Sequence, residues 1–212
     1  MLVDIESSGQ VEAPEGRMMR CLCRLPELMQ RIRTTRVEDE TFPWLLDEVR
    51  AESQASLFLI AESRDRLHQL KTHMEDNAAQ TPILVEAHAC LQRSYGVCLA
   101  LGIFMAHVLA AIDAEAATCT YTEMTRCSED VLRLTKDVAA YKPLGSSYIQ
   151  LCLCAAWMGT ADPMLRSRIQ SALADSTVSG TEDYRHELDA AGLKRMAERF
   201  HARLLPGQRT CD

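Results

Sequence analysis

Apolar residues recur along most of this chain at mixed three- and four-residue spacing, and the period-two alternation of strands is almost absent. From about 17 to 35, Met18, Leu22, Leu25, Leu28, Met29 and Ile32 follow that spacing and predict a first helix. Pro26 lies inside it and lacks the amide that bonds one turn back, so it is expected to bend or restart the helix. "TFPWLLDEV" signals a second start, with Pro43 in the first turn. The pattern then runs to about Asn77 over Leu45, Val49, Leu57, Ile60, Leu67 and Leu70. Thr81 and Pro82 read as cap and first turn of a third helix, reaching about Ile112. Beyond Arg93 it is apolar on nearly all sides, which marks it as central.

Four further helices follow. "TCTYTEMTRCSEDVLRLTKDVAAY" is amphipathic, with Met124, Val131, Leu134 and Val138 facing inward. "KPLGSS" breaks the chain ahead of a helix from about Ser146 to Met158. Asp162-Pro163 caps and opens another, to about Asp175. Thr181 caps a last charged helix with one apolar stripe of Leu188, Leu193, Met196 and Phe200. The expectation is an all-α, single-domain antiparallel bundle of about seven helices over 17–205. Residues 1–16 read as a disordered lead-in and 206–212 as a loose tail.

Composition sharpens this picture. Aromatics make up only 5% of the 212 residues, which favours helix over sheet. The net charge of -7 argues against electrostatic binding of nucleic acid. "RIRTTR" and "KRMAERFHAR" sit among acids and read as solvated helix faces. The N-terminus has no basic segment leading into an apolar one, so an intracellular, reducing location is expected and the nine cysteines are read as thiols. Between Arg93 and Asp113 lie 19 residues without a charge, near the length of a membrane span. Ser94, Gly96, Gly102 and His107 within it favour a buried helix instead.

Two C-x-C pairs, Cys21/Cys23 and Cys152/Cys154, invite a metal reading. Residues two apart on a helix point about 200° from each other, so neither pair can grip one ion. They are read as small apolar residues in close-packed helices, and no metal or cofactor is expected. In "VEAHACLQR", Glu86 and Cys90 share a helix face while His88 points elsewhere. His107, inside the apolar helix, needs a polar partner and is read as a satisfied core histidine. No phosphate loop, G-x-S-x-G or calcium loop occurs, and no catalytic residue is assigned.

From about Pro82 to Asp175 the chain resembles the C-terminal regulatory region of fungal zinc-cluster transcription factors. The resemblance rests on "EAHACLQRSYGVCLALGIFMAHVLAAID" and "YKPLGSSYIQLCLCAAWMGTADPMLRSRIQSALAD". It is carried by Glu86, Gln92, Arg93, Tyr95, an Ala-x-Asp turn, Tyr141, Pro143, Leu144, Gly145, Tyr148, Leu151, Cys152, Ala156, Trp157, Arg168 and Asp175. These are scaffold positions, so the likeness speaks to fold and broad role. The family's six-cysteine, two-zinc module with its C-x2-C-x6-C opening is absent from this sequence.

The resemblance implies a regulatory protein without its own zinc-cluster module, in the nucleus or else the cytoplasm. It would control a secondary-metabolite gene cluster through protein partners, self-association or a small effector, with no direct nucleic-acid contact and no membrane. The alternative is a small helical biosynthetic enzyme of cyclase or isomerase type. On either reading, Tyr95, His107, Tyr148 and Trp157 are the candidate ligand-pocket residues.

Overall fold

The computed structural model describes residues 13–76, 81–138, 147–177 and 190–204. Among them are seven helices and no strand: α1 (Pro14–Thr34), α2 (Phe42–Asp76), α3 (Pro82–Ile112), α4 (Ala117–Val138), α5 (Ser147–Gly159), α6 (Pro163–Thr177) and α7 (Ala190–Leu204). The protein is all-α.

Local chemistry sets several of these ends. Thr81 caps α3, its hydroxyl accepting from the Leu84 amide, with Pro82 next in line. The Asp162 carboxylate accepts from the Met164 amide at 2.9 Å and caps α6. α1 begins at Pro14, inside the segment expected to be a disordered lead-in, because a proline at the first helical position has no amide to leave unpaired. It also runs through Pro26 as one element, so that proline does not restart it. The remaining lead-in residues, "KPLG", Thr181, Leu188 and the 206–212 tail lie outside the described residues.

α3 is the axis of the fold. It packs against α2 on one side and against α4 and α5 on the other, while α1 rests mainly on α2 and α6 on α5. Its residues therefore serve two cores. Leu99, Ile103 and Ala106 join Ile60, Met124, Val131, Leu153, Ile169 and Leu193. Leu101, Met105, Val108 and Leu109 join Leu28, Ile32, Leu45 and Val49 from α1 and α2. That double duty is why α3 is apolar all round. By length and composition it could cross a membrane, and 67% of its most apolar window is buried by the other helices.

The glycines of α3 mark close helix approach. A Cβ on Gly96 would stand 2.6 Å from the Tyr148 ring of α5, and one on Gly102 would collide with Ile60 of α2. At Gly96 a Cβ would press on the Tyr148 ring, whereas at Gly102 the tip of the Ile60 side chain would have to move aside. The inward positions expected on α4 are all buried. On α2 the assignment is correct for Leu45, Val49 and Ile60, but Leu57, Leu67 and Leu70 are only partly covered and Leu59 takes a core place.

Candidate functional site

Tyr95, half-way along α3, is buried where α2, α3 and α4 meet. Its hydroxyl donates to Asp130 Oδ2 of α4 at 3.0 Å and accepts from Arg64 Nε of α2 at 3.1 Å. Arg64 Nη2 also donates to Asp130 Oδ2 at 2.7 Å, and Arg133 Nη1 donates to Asp130 Oδ1 at 2.7 Å. The Asp130 side chain is 9% exposed and accepts from three donors, which offsets the cost of taking a carboxylate out of water. Burial pushes the Tyr95 phenol up to about 12, with the neighbouring Asp130 charge adding and Arg64 opposing. At neutral pH Tyr95 is a fixed donor rather than a proton shuttle.

A second polar clamp sits at the Ala111-Ile112-Asp113 turn. The Asp113 carboxylate accepts from Arg50 Nε and Nη2 of α2 at 2.9 and 2.7 Å. It also accepts from the amides of Glu115 and Ala116, which turns the chain into α4. Burial acts to raise the Asp113 carboxyl, but Arg50 and the two amides outweigh it and hold the group below the ordinary carboxylate value. This clamp fixes the α3–α4 corner to α2.

The other three expected pocket residues each have their own surroundings. His107 lies 12 residues further along α3 and is half-buried; at 1.5 Å per residue that is about 18 Å away. Tyr148 packs its ring on Gly96, and its hydroxyl is buried without a hydrogen-bond partner. Trp157 is 5% exposed, with the Arg166 guanidinium over its ring at 4.7 Å. An open groove of about 900 Å³ runs between α1 and α2 and is lined by Arg17, Arg24, Glu52, Phe58, Glu62 and Arg66 among others. None of the four residues lines it.

The cysteines divide by exposure. Cys152 and Cys154 are buried, and burial pushes their thiols up to about 12 and about 11; Cys127 likewise reaches about 11. Cys152 donates to the Gly96 carbonyl at 3.1 Å, tying α5 to α3. Such thiols hold their protons and are not nucleophiles. The reading of C-x-C residues as packed apolar groups fits Cys152 and Cys154, but Cys21 is half-buried and Cys23 is exposed at the rim of α1. Among the described residues, no group of three or more His, Cys, Asp or Glu could hold a metal ion.

Arg64 and Asp130, the two residues that make Tyr95 polar chemistry, were not among the expected site residues. Each stands in a charged run, "ESRDR" or "SEDVLR", that has the look of a solvated helix face. Asp113 could be read from the Ala-x-Asp turn. No family model matches the chain, and no curated protein or solved structure matches it.

Proposed function

We propose that this chain is a regulator-like helical protein, akin to the regulatory region of fungal zinc-cluster factors, that works through protein partners in the control of a secondary-metabolite gene cluster. One observation carries the reading: several of the residues behind the resemblance are helix-packing positions, while Glu86, Arg93, Leu151, Arg168 and Asp175 are exposed. Gln92, Tyr95, Cys152, Ala156 and Trp157 are buried in α3 and α5, and the Ala-x-Asp turn is the clamped α3–α4 corner. A pattern made of helix-packing positions is what a shared scaffold leaves in a sequence.

The surface supports action through partners. Trp44, Phe58, Ile83 and Met164 are each more than 70% exposed and so are accessible to a partner. The net charge of -7 leaves any DNA contact to another module or protein. The test uses a tagged full-length chain and its deletion in the source organism. Nuclear accumulation together with altered transcript levels of neighbouring genes is the expected result. A protein held outside the nucleus, with those transcripts unchanged on deletion, overturns the reading.

A further inference from the structure

The outer face of α2 carries an apolar stripe that no helix of the fold covers. Trp44 is 77% exposed and Phe58 73%, and Ala51 between them is exposed as well. The three lie seven residues apart, so they fall on one narrow line along a helix. They are also symmetric: Ala51 is the midpoint of Trp44 and Phe58, with an aromatic about 10 Å along the axis on either side.

We infer that this stripe is a self-association surface on which the α2 helices of two copies pack antiparallel about a two-fold axis at Ala51. The symmetry is what selects a second copy as occupant. A two-fold contact must be self-complementary, each position x meeting its mirror position on the partner. About Ala51 that operation brings Trp44 against Phe58, Ala51 against Ala51 and Phe58 against Trp44. Two helices crossing at an angle are closest at the crossing and diverge away from it. Small residues at the centre and large ones at both ends fit that shape.

Asp47 and Gln54 are both exposed on the same side of the stripe. The same two-fold leaves Asp47 of each copy one residue's rise, about 1.5 Å, out of register with Gln54 of the other on the same flank, and Asp47 already pairs with Arg50 of its own chain. No carboxylate meets another across the central span. On the opposite flank, Glu48 and Glu52 are already paired with α1 arginines of their own chain.

The area sets the strength. Two aromatics and the adjoining alanines from each copy bury on the order of 1,000 Å² in total, at the low end of specific interfaces. A dimer held by so small a contact is expected to be concentration-dependent. This gives substance to the partner part of the functional reading without resting on it, since mass in solution is independent of where the protein works.

Sedimentation of the full chain from about 1 to about 200 μM tests it. The expected result is a mass rising from 23.7 kDa towards twice that value. Phe58→Glu and Ala51→Glu, both at exposed positions and so compatible with folding, should weaken the association at least tenfold, or roughly 1.4 kcal/mol. Register is read by cross-linking with diamide, in a background where Cys23, Cys90, Cys119 and Cys211 are serine. Ala51→Cys should couple to itself, whereas Trp44→Cys should not, its sulfurs lying about 21 Å apart along the axis. A monomer at every concentration overturns the inference, as does a dimer indifferent to Phe58→Glu. Capture of an amphipathic partner helix by a strictly monomeric chain would assign the stripe to another protein and overturn it equally.

Discussion

The seam of α3 with α4 and α5 and the seam of α1 with α2 are built on different physics. Towards α4 and α5, α3 meets close-packed apolar surface, with Gly96 under Tyr148, Cys152 bonded to the Gly96 carbonyl, and Leu99 and Leu153 fully buried. The polar cluster around Asp130 there has its donors in place. Beyond α2, by contrast, α1 is held by an apolar edge and a ladder of ion pairs. Arg17 pairs with Glu62, Arg24 with Glu52 and Glu48, and Arg31 with Glu48 at 2.6 Å. These side chains are half in water, where each pair is worth little and salt weakens it further. The first seam is held by packing and the second leans on partly exposed ion pairs. The contrast leaves two large aromatics of α2, Trp44 and Phe58, open to solvent.

Three changes break or sharpen that contrast. The largest effect belongs to the packed side. Leu99→Ala is expected to lower unfolding free energy by roughly 2–5 kcal/mol through lost transfer energy and a residual cavity. Phe58→Ala, at a concentration where the chain is monomeric, should stay within about 0.5 kcal/mol. Denaturant unfolding followed by circular dichroism compares the two, and equal losses would erase the distinction.

Next comes the Tyr95 clamp. Tyr95→Phe removes one donor from Asp130 and one acceptor from Arg64, at a cost of roughly 0.5–1.5 kcal/mol at neutral pH. The sign of the pH dependence follows from a phenol raised in the folded state from 10.0 to about 12. Its contribution is complete below pH 10 and is lost as pH climbs towards 12. Thermal melts between those values should fall less steeply for the phenylalanine variant than for the parent chain. Parallel slopes would show that Tyr95 is not the titrating group.

The smallest effect is on the ladder. Arg24 is 53% exposed, so Arg24→Ala should cost about 0.2–1 kcal/mol in dilute buffer. That cost should shrink towards zero near roughly 1 M salt, where screening is short-ranged. A cost that persists in salt would mean that the arginine stem, not its charge, holds α1 to α2.

Much of the fold was legible because its signals act within one helical turn. Thr81 with Pro82 and Asp162 with Pro163 placed two helix starts, and the charge-free run after Arg93 identified the central helix. Pro14 misled, because a polar, proline-bearing segment reads as loop until a helix is seen to use that proline as its first residue. The candidate site was legible only as separate residues. Tyr95 was singled out as a pocket residue, but its hydrogen-bond partners Arg64 and Asp130 lie 31 and 35 residues away in the chain.

The sequence by itself determined that the chain is helical, where most helices begin, and that α3 is buried, since propensity, caps and periodicity are properties of neighbouring residues. Only the tertiary structure decided which helices flank α3, that Tyr95, His107, Tyr148 and Trp157 share no cavity among those described, and that Trp44 and Phe58 stay uncovered. Those facts depend on how each helix is rotated and crossed against the others. Interdigitation of side chains distant in sequence sets that rotation, and no local pattern carries it.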